Sequence, residues 1–243
     1  MFAVVMFKEK ERSFLSFFKK QKIMAERVNL PNGESFFVIT AEKKGDKIPF
    51  KEILSFAGGL GNSLIFPSDF CFLPEWDYTP FEPKQLKKKM LFDSAVKHLE
   101  KTKLNPMEVS VCICDDEGIY SDEIHKLLKL AAKIHIVCHN KELYEKEIKE
   151  ILFEYGISIT LSSSFDARAT LCNVVISHES ENIPLFFDGT VFTNEKRPFL
   201  AQRCFGTQSI RLPFEYEKLR PPGVDKLTFA SALYEKCGVH FDS

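Results

Sequence analysis

The sequence predicts an α/β fold with two lobes: an N-terminal mixed α/β lobe and a second lobe built on a doubly wound parallel sheet. Between residues 109 and 177, short apolar runs alternate with amphipathic segments, which is typical of parallel strands covered by helices. Earlier in the chain, Asn32 and Gly33 stand between two apolar runs, and this pattern predicts an antiparallel hairpin. The 243 residues are enough for one large domain or two small ones.

Composition and charge are those of an ordinary globular chain, with 44% apolar and 28% charged residues. The formal net charge of −1 supplies no overall field that would attract nucleic acid or an anionic membrane. No apolar run approaches the roughly 20 residues that a membrane-spanning helix needs. Seven scattered cysteines, an odd number, favour reduced thiols. We therefore expect a cytoplasmic protein without nucleic-acid or membrane partners, and a protein partner or a homo-oligomer stays open.

The first domain is expected at residues 1–105. Its predicted elements are a strand at 2–7, a helix at 11–22, hairpin strands at 27–30 and 35–40, a helix at 49–56, a short strand at 63–66 and a helix at 83–103. The glycines at 58, 59 and 61 follow a helix and lack the Lys-Ser/Thr pair of a phosphate loop, so they predict a helix end and a turn. The basic run at 87–89 lies among acidic residues and is interpreted as a solvated helix face.

The second domain is expected at residues 106–243, because the strand–helix rhythm begins after Asn105 and Pro106. Its predicted strands are 109–114, 134–138, 157–161, 173–177 and 184–187, and its predicted helices are 121–132, 141–155 and a short turn or helix at 165–171. Right-handed crossovers would arrange the strands in the order 3-2-1-4-5. A helix at 225–236 would form a C-terminal helical extension.

The segments "VSVCICDDEGIYSDEIHKLLKLAAKIHIVCHN" and "IHIVCHNKELYEKEIKEI" give residues 107–188 a resemblance to Rossmann-like dinucleotide-binding domains. The resemblance is to the superfamily and to no specific family. It implies a glycine-rich first turn that approaches the pyrophosphate of NAD or NADP. Here the turn reads Asp115, Asp116, Glu117, Gly118, with a single glycine. Each carboxylate 4 Å from a phosphate charge would cost roughly 1 kcal/mol in water and roughly 4 at intermediate dielectric, so we expect no cofactor.

Two other motifs resemble known families only in part. "VCICDDE" is similar to the first strand and acidic pair of response-regulator receivers, but the third strand ends at Ser162, Ser163 and Ser164 without the phosphoacceptor aspartate. "PLFFDGTVF" is similar to the haloacid-dehalogenase motif, with Phe186 in the position of the nucleophile. A phenyl ring forms no acyl-phosphate. Residues 188–189, Asp-Gly, are therefore interpreted as a turn after a strand.

The candidate ligand site lies where the strand order reverses, beyond the carboxyl ends of the first and fourth strands of this domain. Those ends carry Asp115 and Asp116, and Ser177 and His178. Ser121 is expected to N-cap the helix that faces the crevice. Two carboxylates and an imidazole are suited to holding a metal or to acid–base chemistry. The simpler interpretation is that they are the polar residues of ordinary turns.

The leading functional hypothesis is a non-catalytic binding or interaction module that keeps the scaffold without its cofactor. The alternative is an enzyme with a site between the lobes. It would be either metal-assisted, through Asp115, Asp116 and His178, or an atypical NAD(P)-dependent oxidoreductase. An enzyme requires these three side chains to converge, whereas a binding module predicts a filled crevice or an exposed apolar patch.

Overall fold

The computed structural model describes residues 1–9, 22–45, 47–102, 104–178, 186–194, 200–206 and 210–241. The predicted helix at 11–22 lies outside these residues except for Lys22. The strands are β1 (Ala3–Glu9), β2 (Ile23–Asn29), β3 (Ser35–Lys43), β4 (Leu64–Ile65), β5 (Ser110–Cys114), β6 (Lys133–Val137), β7 (Ile159–Ser162), β8 (Val174–Ser177), β9 (Phe186–Phe192) and β10 (Leu200–Phe205). The α-helices are α1 (Phe50–Ala57), α2 (Gln85–Thr102), α3 (Glu142–Tyr155), α4 (Ala167–Thr170), α5 (Phe214–Glu217) and α6 (Lys226–Cys237).

The chain divides into two compact units, Met1–Leu86 with Ile210–Asp242, and Lys87–Ser209. The sequence instead places the boundary near Pro106 and assigns the whole C-terminal segment to the second domain. The packing of two helices, α2 and α6, explains the two differences. Helix α2 buries Leu91, Phe92 and three further apolar residues in the core of the second unit. Helix α6 places Phe229 against Phe2 and Phe36 of the first unit.

The first unit is built on a four-stranded mixed sheet in the order β2-β3-β1-β4. Strands β2 and β3 are antiparallel and form the predicted hairpin, with Gly33 in its turn at a φ of 88°. Strand β1 lies between β3 and β4 and is parallel to both. The helix predicted at 49–56 is α1, and the glycines after it form a 3₁₀ turn at Gly58–Ser63.

The second unit is built on a six-stranded sheet in the order β10-β9-β8-β5-β6-β7. All five strand pairs are parallel. Numbered within this unit, the strand order reads 3-2-1-4-5-6 from β7 to β10, which is the order of Rossmann-like domains. The predicted α/β class and the Rossmann-like second lobe are therefore confirmed, with β10 as a sixth strand that the sequence did not predict.

The segment after β5 forms a shorter and tighter helix than predicted. The expected α-helix at 121–132 is a 3₁₀ helix at Ser121–Leu127. Its backbone bonds join residues three apart, such as the Glu123 amide to the Tyr120 carbonyl at 3.0 Å. A 3₁₀ helix rises about 2.0 Å per residue instead of 1.5, so few residues carry the chain back toward the start of β6.

The dipeptide Asp188-Gly189 lies inside β9, so its interpretation as a turn is wrong. The missing side chain at Gly189 is what permits the strand pairing. A Cβ there would lie 2.5 Å from the Asn173 carbonyl oxygen and 2.7 Å from the Phe187 ring. The neighbouring Thr190 amide donates to that same carbonyl at 3.0 Å, which fixes the close approach.

We expect Gly189→Ala to lower the free energy of unfolding by roughly 1–3 kcal/mol, the usual cost of forcing extra volume into a packed site. Gly206→Ala is the matched control in the same unit, because its Cβ would lie 3.4 Å from the Thr193 carbonyl oxygen, an ordinary contact. Urea unfolding followed by circular dichroism measures both variants. Equal losses in the two variants would contradict the steric explanation.

Candidate functional site

The carboxyl ends of three strands meet at the point where the strand order reverses. Cys114, the last residue of β5, is in register with Val137 of β6 and with Ser177 of β8. The residues that follow these strands therefore share one edge of the sheet. A cavity of only about 10 Å³ lies there. It is lined by Lys88, Cys114, Asp115, Asp116, Glu117, Tyr120, Ser177 and His178. The structure thus brings four of the five predicted site residues together, and Ser121 does not line the cavity.

The Asp115 carboxylate is turned into its own loop and is 5% exposed. It accepts hydrogen bonds from the backbone amides of Glu117 at 3.1 Å and Tyr120 at 3.0 Å. It also accepts one from the Tyr144 hydroxyl on α3. Burial, with the negative charge of Asp115, raises the pKa of the Tyr144 phenol, which keeps this hydroxyl a proton donor. Asp115 therefore stabilises the turn through hydrogen bonds within the loop and to α3.

Lys88 is a buried cation at this site that was not among the predicted site residues. The basic run at 87–89 was interpreted as a solvated face, but Lys88 is 3% exposed. Its Nζ lies 3.0 Å from an Oε of Glu117, the third acid of the turn. The signal was present in the spacing: Lys88, Phe92, Ala95 and Leu99 follow one stripe of α2, and the three apolar members are core residues. A long side chain thus fills the edge of the crevice.

The Asp116 carboxylate contacts His139, the second residue after the neighbouring strand β6. One of its carboxylate oxygens accepts from the His139 backbone amide at 2.7 Å and lies 2.9 Å from the His139 Nδ1. The His178 Nδ1 lies 3.4 Å from the side-chain nitrogen of Asn194, which follows β9. These contacts tie together the ends of neighbouring strands.

Ser121 does not act as the predicted N-cap. The cap position of the 3₁₀ helix is Tyr120, and the Ser121 hydroxyl donates backward to the Gly118 carbonyl at 2.9 Å. Gly118 has a φ of 73°, and a Cβ on it would lie 3.1 Å from the Cβ of Leu143 on α3. Its missing side chain thus lets the turn lie against α3.

The turn does not fit a dinucleotide pyrophosphate. A phosphate at such a turn needs backbone amides that point outward. Here the amides of Glu117 and Tyr120 donate to Asp115, and the Ser121 amide donates to the Gly118 carbonyl at 3.3 Å. The remaining space of about 10 Å³ suits no more than a single water molecule.

Over the described ranges, no three His, Cys, Asp or Glu side chains are grouped so that they could hold a metal ion. In the same part of the chain, no helix has the length and apolar character needed to cross a bilayer.

Comparisons with known proteins concern the fold alone. No family model matches the chain, and no curated protein sequence matches it significantly. Among solved structures, the chain is similar to shikimate dehydrogenase from Aquifex aeolicus, with 14% identity, a TM-score of 0.34, and 72% of this chain and 77% of that chain covered. It is also similar to L-tryptophan dehydrogenase from Nostoc punctiforme, with 10% identity, a TM-score of 0.34, and 85% and 63% covered. Strand order and crevice together define a Rossmann-like α/β protein with an acidic first turn.

Proposed function

We propose that this protein is a cytoplasmic, non-catalytic binding or interaction module on a Rossmann-like scaffold that uses no dinucleotide. One observation carries the proposal: the amides of Glu117 and Tyr120, which would face a pyrophosphate, already donate to the buried Asp115 carboxylate. A phosphate would have to break these bonds and to approach the charges of Asp116 and Glu117 as well. In this proposal the polar residues of the crevice stabilise the fold and do not bind a ligand.

An exposed apolar patch supports an interaction role. Leu152, Phe153 and Tyr155 lie at the carboxyl end of α3 and are 52%, 92% and 55% exposed. Contiguous exposed apolar surface is a mark of protein interaction sites. The proposed partner is another protein or a second copy of this chain.

The competing proposal is an enzyme, and one observation favours it. Asp115, Asp116 and His178 line the same cavity, as an acid–base or metal site would require. Two sets of hydrogen bonds oppose it, because a ligand would compete with them: Asp115 accepts from amides of its own loop, and Asp116 accepts from the His139 amide after β6. The two proposals differ in the response to soluble ligands.

Thermal unfolding with added ligands tests both proposals. We expect no change in Tm with NAD, NADP, S-adenosylmethionine or ATP at 1 mM, since none of them fits the crevice. A ligand at a hundredfold excess over its Kd would stabilise the native state by about 2.7 kcal/mol, which is a shift of several degrees. A clear shift with NAD, which carries no phosphate monoester, would overturn the proposal in favour of the oxidoreductase.

Divalent metals form the second arm of this experiment, with Asp116→Ala as the variant. Asp116 is suited to this because its side chain is partly exposed, so its loss leaves the fold intact. We expect Mg²⁺, Mn²⁺ and Zn²⁺ to leave the Tm of both proteins unchanged. A metal-dependent rise that the variant lacks would support the metal-assisted enzyme.

A further inference from the structure

A second, much larger cavity lies at the opposite ends of the strands in the same unit. Its volume is about 300 Å³, the lower end of the range for small-molecule pockets. It opens beside the amino ends of β5, β6 and β7. It is lined by Met107, Glu108, Val109, Ser110, Lys133, Ile134, His135, Ser158, Thr160, Arg168, Leu171 and Cys172.

The cavity exists because the crossover from β7 to β8 carries a very short helix. Helix α4 has four residues, Ala167–Thr170, and at about 1.5 Å per residue it covers roughly 6 Å. The five-residue strand β6 beneath it, Lys133–Val137, is about 17 Å long. The amino-terminal half of this sheet face is therefore not covered by α4, and Arg168 and Leu171 form a wall beside it.

The charged groups of the lining leave one positive charge in excess. Lys133 and Arg168 are exposed cations, and Glu108 is the one carboxylate in the lining. His135 is 3% exposed, and its Nδ1 lies 2.6 Å from the Thr160 hydroxyl. Burial lowers the pKa of His135 more than the Asp166 charge raises it, so this imidazole is neutral at pH 7.

One wall of the cavity carries the thiol of Cys172. It packs with Cys112 in one buried cluster. A hydrogen bond from the Cys112 thiol lowers the pKa of Cys172, and burial opposes this effect. The negative charge of Asp166 raises this pKa and the positive charge of Lys133 lowers it.

We propose that this cavity binds a small organic anion, a carboxylate or a phosphate monoester, whose charged group pairs with Lys133 and Arg168 and whose apolar part packs on Leu171. Arginine presents a planar fork that matches both oxyanions, and a neighbouring lysine adds a point charge. The assignment deepens the proposed binding function and rests on it for its biological meaning. Its failure would leave the protein-partner form of that function intact, because that form uses a different surface.

The thiol permits a direct test with two alkylating reagents that differ in charge. Iodoacetate and iodoacetamide react in the same way: the thiolate forms a C–S bond to the CH₂ carbon, and iodide leaves. Peptide mass spectrometry gives the rate at each cysteine of the whole chain. Cys71 and Cys204 are exposed and serve as internal references. We expect the ratio of iodoacetate to iodoacetamide rates to be about tenfold higher at Cys172 than at Cys71, as an attraction of one unit charge predicts.

Charge-removing variants show whether the named cations cause this preference. Arg168→Gln and Lys133→Gln should each lower the ratio at Cys172 severalfold and leave the ratios at Cys71 and Cys204 unchanged. A ratio at Cys172 equal to that at Cys71, or one that neither variant changes, overturns the assignment.

A ligand-binding measurement that does not depend on the thiol completes the test. Thermal unfolding is recorded with benzoate, phenyl phosphate, inorganic phosphate and benzyl alcohol. We expect benzoate or phenyl phosphate to raise the Tm of the native chain but not that of Arg168→Gln. The probe that gives the larger rise in Tm shows whether the site prefers a carboxylate or a phosphate. A shift of equal size with benzyl alcohol would overturn the role of charge. A shift of equal size with inorganic phosphate would overturn the role of the apolar part, and no shift with any probe would overturn the site.

Discussion

Replacing Asp115 by alanine is expected to lower the free energy of unfolding of the second unit by about 3–5 kcal/mol. The carboxylate accepts from two backbone amides and from the Tyr144 hydroxyl, and all three donors would lose their partner. A buried donor without a partner costs about 1–3 kcal/mol. The chain's single tryptophan, Trp76, lies in the first unit, so fluorescence reports on the wrong part of the chain. Hydrogen exchange of peptides from β5 and β6 measures the effect directly.

Asp116→Ala is the matched control for this experiment. The two aspartates are neighbours in sequence with the same charge, but the Asp116 side chain is 31% exposed and pairs with the exposed His139. A solvent-exposed pair contributes about 0–1 kcal/mol, so the control should lose no more than that. Similar losses of unfolding free energy in the two variants would show that the hydrogen bonds of Asp115 do not stabilise the turn. A clearly larger loss in Asp115→Ala would show that this acid stabilises the fold.

The strands of both units were predictable wherever their residues are buried on both faces. The last four residues of β5, Val111–Cys114, are all buried, and they appear in the sequence as a continuous apolar run. The hairpin was predictable for a local reason, because Asn32-Gly33 suits a turn with positive φ. Such signals lie within a few residues of the structure that they specify.

Strand β10 gave no comparable signal. It is an edge strand, five of its six residues are exposed, and its register shifts between Ala201 and Arg203. No core face therefore imposes a period of two on its sequence. Strand β9 was recognised only at its start, because Asp188-Gly189 in its middle has the composition of a turn.

The position of the crevice was predictable from the sequence, but whether it is open or filled was not. Parallel strands end on one edge, so the residues after β5 and β8 had to meet there. The sequence does not show that Asp115 bonds to Tyr144, 29 residues away, or that Lys88 reaches Glu117 from α2. These contacts depend on how the helices pack on the sheet, and they decide whether the crevice is open.

The ring of Phe229 is expected to be among the strongest single contributors to the first unit. Phe2, Phe36 and Phe229 have no exposed surface. The Phe2 and Phe36 rings are stacked with centroids 5.0 Å apart, and Phe229 meets both edge-on at 6.1 and 5.5 Å. Phe229→Ala should cost about 3–5 kcal/mol, since it removes a buried ring and leaves a cavity. Urea unfolding followed by Trp76 fluorescence measures this loss, because Trp76 packs on Phe50 of the same unit at 4.3 Å.

Phe214→Ala is the control from the same C-terminal segment, because that side chain is 80% exposed and its loss should change stability by less than about 0.5 kcal/mol. If the C-terminal segment belonged to the second domain, as the sequence suggested, Phe229→Ala would leave the Trp76 transition unchanged and would weaken protection in β5 and β6. If it belongs to the first unit, the Trp76 transition shifts and the protection stays. The segment that follows the Rossmann-like sheet would then complete the core of the unit in which the chain begins.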